Sequence, residues 1–244
     1  MVEKLSLWMA LGEEEKRAIL DLPHTIRTLA SAEFIVREDE RPTHCCLLLQ
    51  GYAIRHKSTG NGNRQIFAIQ MQGDVVDLHN SLLRRADHNI QTLTATRVAM
   101  IPVAAIRHLA TRYPQVGQAM WYETLVDASI SREWALNIGR RDARMRTAHL
   151  LCELSVRLPV ARLGTATQFD LPLTQEQFGD ALALSPVHVN RTLMALAEEG
   201  LIERQMRTVH ILDPARLARV GDFDRRYLHF DTPWPNDGAT MPVL

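Results

Sequence analysis

The chain has 244 residues, 46% of them hydrophobic and 23% charged. That composition excludes a disordered or fibrous chain and suffices for one large or two modest domains closed without disulfide or metal staples. The 28 basic and 28 acidic side chains cancel, so any nucleic-acid face has to come from local placement of arginines rather than a basic surplus.

Residues 3–22 predict a helix. Leu5, Trp8, Met9 and Leu11 cluster apolar groups, and the acidic run Glu13–Glu15 suits a helix N-terminus. Pro23 stops the pattern. No cleavable apolar leader and no apolar run of about 18 residues are present, which predicts a cytoplasmic protein with no membrane association. Cys45, Cys46 and Cys152 are an odd set, as expected in a reducing compartment.

Between residues 31 and 102 the period changes. AEFIVRE, CCLLLQ, YAIRHK, RQIFAIQ, DVVDL, IQTLTA and VAMIPV are short segments rich in β-branched and apolar residues. Turn signals separate them, Gly60-Asn61-Gly62-Asn63 among them. Many short strands at such spacing predict a sandwich, barrel or jelly roll. Adjacent cysteines on one such strand are expected to alternate inward and outward. His88, beside Asp87, is expected to be a solvated loop residue.

Helix returns at about Val103. In the stretch 115–138, Val116, Ala119, Met120, Val126, Ile130 and Trp134 share one side. Trp121, Leu125, Ala128, Ala135 and Leu136 share roughly the opposite side. A helix apolar on two sides needs two partners: one is plausibly the β domain, the other the same helix of a second chain or a neighbour within one chain. Gly139-Arg140-Arg141 marks a hinge, and a further helix follows with Met145, Ala148, Leu151, Cys152 and Leu158 near one face. Residues 159–171 read as a polar loop.

The stretch 171–212 carries the function. Thr174 and Gln177 form a capping box ahead of a short helix burying Phe178, Ala181 and Leu182. After Ala183-Leu184, Ser185 caps a second helix with Pro186 at its first position. Val189, Leu193, Leu196 and Ala197 form its inward stripe, and Gly200 ends it. Residues 201–211 alternate like a hairpin around Gln205-Met206-Arg207. This spacing is that of a winged helix-turn-helix. His188, Asn190 and Arg191 stand where a recognition helix meets the major groove, Arg suiting guanine and Asn adenine. Arg204 and Arg207 on the hairpin suit phosphates.

With these residues the chain resembles the Crp/Fnr family of bacterial regulators. The run LTQEQFGDALALSPVHVNRTLMALAEEGLI aligns with that family's helix-turn-helix without a gap. The resemblance implies an α+β fold: an N-terminal double-stranded β-helix (jelly roll), a long dimerisation helix and a C-terminal winged helix-turn-helix. The corresponding division is 1–114, 115–138 and 139–213, with a short helix and loose tail over 214–244. It also implies a homodimer on pseudo-palindromic double-stranded DNA, RNA polymerase as a partner, and a small-molecule effector in the β-roll. Arg191 falls on the family's base-contacting arginine, and Thr174 and Ser185 on backbone-holding positions. Pro186-Val187 departs from the usual Arg-Glu or Val-Glu, so Val187 meets a thymine methyl where an acid would read a base.

The effector region departs further. The family's cyclic-nucleotide binders carry a ribose-binding Glu and a phosphate-binding Arg with Ser or Thr. Here Leu78 and Asn89-Ile90 stand in those places, among Asp77, His79, Arg84 and Arg85. Without those partners cyclic AMP is not the expected ligand. The cysteines are too few and oddly spaced for an iron–sulfur cluster. A redox-active thiol, or a haem held by His79 or His44, are minor alternatives, and no cofactor or bound metal is expected. No nucleophile elbow, phosphate-binding glycine loop or His-x-x-x-His pair points to an enzyme. The alternative to DNA binding is an effector-binding sensory protein acting on a protein partner.

Overall fold

The computed structural model describes residues 1–171 and 173–230. The N-terminal segment forms two short helices, α1 (Val2–Leu5) and α2 (Glu13–Leu20), rather than one over 3–22. Between them the chain unwinds so that Trp8, Met9 and Leu11 all reach the interior, which one amphipathic stripe cannot achieve. Gly12 caps α2, and Glu13, Glu14 and Glu15 occupy its first turn, where they complement the helix dipole.

Seven strands then build the β-roll: β1 (Thr25–Leu29), β2 (Phe34–Val36), β3 (His44–Gln50), β4 (Ala53–Ser58), β5 (Arg64–Gln70), β6 (Asn89–Thr92) and β7 (Thr96–Pro102). They make two antiparallel sheets, ordered β1-β7-β3 and β2-β6-β4-β5. Leu29, Val36, Cys46, Leu48, Ala53, Val76, Ile90 and Val98 fill the space between them. DVVDL is not a strand: Val75 makes one isolated bridge to Leu47, and a 3-10 turn follows over Leu78–Ser81.

The expected alternation of Cys45 and Cys46 holds, yet both are buried. Cys46 faces the roll interior, while Cys45 faces a second cluster with Leu5, Leu11, Ile106 and Met120. Helices cover the outer face of this sheet, so neither side is wet. Burial pushes both thiols up from their ordinary value, and Cys152 up to about 12. None of the three is the exposed thiolate that redox sensing needs.

Helix α3 (Val103–Arg112) leads into the long α4 (Pro114–Arg140). Val116, Ala119, Met120, Val126, Ile130 and Trp134 of α4 are buried. Trp121, Leu125 and Leu136 are 63%, 52% and 46% exposed. Among the described residues, none covers these three side chains.

After Arg141, α5 (Ala143–Val160) is capped by Asp142, whose side chain accepts from the Met145 N–H at 2.9 Å. Residues 147–154 are buried all round, because α5 is the post on which the C-terminal part is mounted. Glu153, fully buried, accepts from Trp134 Nε1 (2.9 Å), Tyr227 OH (2.9 Å) and Arg157 Nη1 (2.8 Å). Arg157 also donates to the Ile69 carbonyl of β5 at 2.7 Å, tying α5 to the roll. Every oxygen of the buried acid thus meets a donor, as burial of a charge requires.

Residues 159–171 are not wholly a loop. They hold β8 (Gln168–Asp170), which pairs with β10 (Thr208–Ile211); β10 also pairs with β9 (Ile202–Gln205). Helices α6 (Gln175–Leu182), α7 (Pro186–Glu198) and α8 (Pro214–Val220) complete the domain, and a 3-10 turn spans Arg225–Leu228. His229 and Phe230 are not loose: Phe230 stacks on Trp8 at 5.6 Å, and His229 meets Tyr122 edge-on at 6.2 Å. The remainder of the expected tail, 231–244, lies outside the described residues.

Candidate nucleic-acid interface

The helix-turn-helix is set by local chemistry. The Thr174 hydroxyl accepts from the Gln177 N–H at 3.2 Å, and the Gln177 side chain accepts from the Thr174 N–H at 2.9 Å. Phe178, Ala181 and Leu182 go into the core. Ala183 ends α6 in the left-handed region at φ 54°, a strained choice for a residue with a Cβ. A Cβ on Gly179 would clash with the Leu184 carbonyl oxygen, so the turn closes only over a glycine. Ser185 then caps α7, its hydroxyl accepting from the His188 N–H at 3.3 Å. Val189, Leu193 and Leu196 fill the inner face, joined by Thr192; Ala197, expected inside, is exposed.

This packing turns one edge of α7 outward. Val187 is 76% exposed, and Asn190 and Arg191 are exposed beside it. His188 is half-buried. Asn190 Oδ1 accepts from Gln175 Nε2 at 3.2 Å, which orients the amide. Among the described residues the Arg191 guanidinium has no hydrogen-bond or ion-pair partner, and neither has that of Arg207. Arg204 is half-buried and its Nε donates to the Met206 carbonyl at 3.2 Å, which stiffens the wing tip. Thr174 and Ser185 are exposed, each with its hydroxyl proton left to donate. The structure therefore brings Val187, Asn190 and Arg191 together on one exposed edge of α7, with Thr174 and Ser185 exposed at the N-termini of α6 and α7 and Arg204 and Arg207 on the hairpin β9–β10.

The six residues expected around an effector sit in different surroundings. Leu78 is in the apolar core with Cys45 and Val75. Asp77 is fully buried, and its carboxylate accepts from the Cys46 N–H at 2.6 Å. Burial pushes its pKa up to about 7. Arg85 pairs with Asp39 at 2.5 Å, Asn89 Oδ1 accepts from the Glu38 N–H at 3.0 Å, and Arg84 is exposed. His79 stays inside, where burial and the nearby Arg55 push its pKa down to about 4.

The groups that do converge there were not expected from sequence. Arg55 of β4 is 7% exposed; its Nε donates to the Val76 carbonyl at 2.9 Å and its Nη1 pairs with Asp127 of α4 at 2.7 Å. His56, Asn80 and His88 are also buried. His88 is no solvated loop residue: its ring packs edge-on against Phe67 at 5.2 Å and lies 4.9 Å from that of His79. The one available signal was the pair Arg55-His56 inside a strand with no wet face.

Comparison with known proteins agrees with this architecture. A model of the Crp-like helix-turn-helix domain matches residues 145–220, and one of the cyclic nucleotide-binding domain matches residues 26–113. The chain is 26% identical over 215 residues to the transcriptional activator protein FnrL of Cereibacter sphaeroides, covering 86% of each protein. It is 26% identical over 217 residues to the transcriptional activator protein anr of Pseudomonas aeruginosa, covering 88% of each. Among solved structures, FixK2 from Bradyrhizobium japonicum superposes with a TM-score of 0.75 at 25% identity, over 82% of this chain and 98% of that one. The two domains and their order define a DNA-binding transcription regulator with a cyclic-nucleotide-binding-type β-roll. The chain belongs to the Crp/Fnr family.

Proposed function

We propose that this regulator reads DNA as a homodimer, with the exposed edge of α7 in the major groove. The observation that carries this reading is the unpartnered Arg191 beside Asn190 and Val187 on a helix whose N-terminus is capped and presented outward. Arg191 serves guanine, Asn190 adenine and Val187 a thymine methyl. Thr174, Ser185, His188, Arg204 and Arg207 hold the phosphate backbone and so set register rather than sequence. The bare side of α4, with Trp121, Leu125, Ala135 and Leu136, supports pairing of two chains, since an apolar stripe of that length is rarely left to water in a monomer. Two-fold pairing implies half-sites about one helical turn apart. The protein acts in the cytoplasm with RNA polymerase as partner and carries out no catalysis.

Cyclic AMP is not the signal. Leu78 is committed to the apolar core, and Arg85 and Asn89 are committed to Asp39 and Glu38. A phosphate placed among them would lack the charge-assisted hydrogen bonds, each about 1.5–3 kcal/mol, that hold it. A ligand that grips neither conformation shifts no equilibrium.

Gel-shift titration of the full chain against the DNA upstream of its own gene, with stoichiometry and with millimolar cyclic AMP, tests this reading. The expected result is two chains per pseudo-palindromic site and no gain in affinity from the nucleotide. One chain per site, a monomer by light scattering, or a marked gain with cyclic AMP contradicts it.

A further inference from the structure

Within the β-roll, one ring nitrogen of His79, one of His88 and one carboxylate oxygen of Asp87 lie within 4.8 Å of one another. His79 stands at the start of the 3-10 turn that leaves the roll interior, and Asp87-His88 immediately precede β6. Two elements nine residues apart thus close on a single point, a spacing no short metal motif has.

The chemistry of the three groups is specific. His88 Nδ1 lies 2.7 Å from Asp87 Oδ1. That contact places the ring proton on Nδ1 and leaves Nε2 with a bare lone pair. His88 Nε2 is buried and has no hydrogen-bond partner, and His79 Nε2 is in the same state. A buried nitrogen without a partner is costly, so two of them on rings whose centroids lie 4.9 Å apart call for an occupant. A neutral imidazole is the form that ligates a metal, and the charge of the buried Arg55 is offset by Asp127 at 2.7 Å. A carboxylate holding one nitrogen of a histidine while the other faces an ion is the arrangement found around protein-bound zinc.

We propose that His79 and His88 form a divalent transition-metal site of the zinc class inside the β-roll, with Asp87 as the positioning residue that fixes the His88 tautomer. Each nitrogen approaches zinc to about 2.0–2.1 Å. The site stands independently of how α7 reads DNA, and its test contains no DNA.

Full-length protein is stripped with chelator, then titrated with zinc chloride against a chromophoric competitor and with cobalt chloride followed by its visible absorption. The wild type is expected to take up one ion per chain, with 15N imidazole shifts moving at His79 and His88 and not at the exposed His24. His79→Gln and His88→Gln should each lose at least about a hundredfold in affinity. Asp87→Asn should lose about 10- to 100-fold. Asp87 has a side chain 71% exposed, so this variant keeps its fold even where a buried histidine variant does not. Exposed His108→Gln should bind as the wild type does. Absence of zinc uptake, or uptake unchanged in Asp87→Asn and in the folded histidine variants, overturns the site.

Discussion

The helix-turn-helix and the β-roll treat polar side chains in opposite ways. On α7, Asn190 and Arg191 stand in solvent, and among the described residues Arg191 has no partner; this costs nothing until DNA arrives, because water satisfies both. In the roll, Arg55, His56, Asp77, Asn80 and His88 are sealed from water, and several of their polar atoms face no donor or acceptor. The difference teaches where to look for a signal. An open polar face is read by a large partner that brings its own desolvation, whereas a closed one has to be completed by something small enough to enter.

The two regions should also fail differently. The largest effect is expected from Lys4→Met, which touches only the roll side. Lys4 pairs with Asp74 at 3.0 Å and Glu123 at 3.5 Å, and Trp8 also donates to Glu123. Removing the cation leaves two buried acids facing each other and should cost about 3–5 kcal/mol near neutral pH. Burial pushes the Asp74 carboxyl up, but Lys4, Arg157 and the Met71 N–H outweigh it and hold it below its ordinary value. The Asp74 contribution is therefore present above about pH 4 and lost as pH falls further. Chemical denaturation of both proteins from pH 7 to pH 3 should show the gap between them closing on the acid side.

A smaller effect, confined to the other region, is expected from Gly179→Ala. Its Cβ would press on the Leu184 carbonyl, at a cost of about 1–3 kcal/mol. DNA affinity should fall while Cys45 and Cys46 keep their protection from thiol reagents. If the cysteines become reactive as well, the two regions unfold as one and the contrast between them is too sharp. The smallest effect runs the other way. Ala183→Gly relieves a left-handed alanine and should raise stability by about 0.5–1 kcal/mol, measured by urea denaturation, with DNA binding unchanged.

The same contrast explains what the sequence disclosed. The helix-turn-helix is built from contacts three to five residues apart: the Thr174–Gln177 box, the Ser185 cap, Pro186, the Gly179 turn. Each is visible in a short window. The roll is built across long separations. Strand β1 escaped notice because only Leu29 of Thr25–Leu29 is buried, so it shows no apolar alternation. Strand β8 contributes only Phe169 to the core. DVVDL has the composition of a strand, but Asp77 spends its carboxylate on the Cys46 N–H and turns the chain. His88 looked solvated because Phe67 and His79, which cover it, are 21 and nine residues away. Cys45 is buried as well as Cys46 because helical segments from both ends of the 1–140 stretch cover its side of the sheet.

The central claim is that the outward edge of α7 reads bases while the wing only holds phosphates. Arg191→Ala and Arg207→Ala, titrated against the operator and against a scrambled duplex across a salt series, test it most directly. Arg191→Ala should lose about 1–3 kcal/mol per half-site on the operator and little on the scrambled duplex. Arg207→Ala should weaken both alike and flatten the salt dependence. Operator affinity unchanged in Arg191→Ala, or lost equally on both duplexes, would contradict the assignment of α7 as the reading helix.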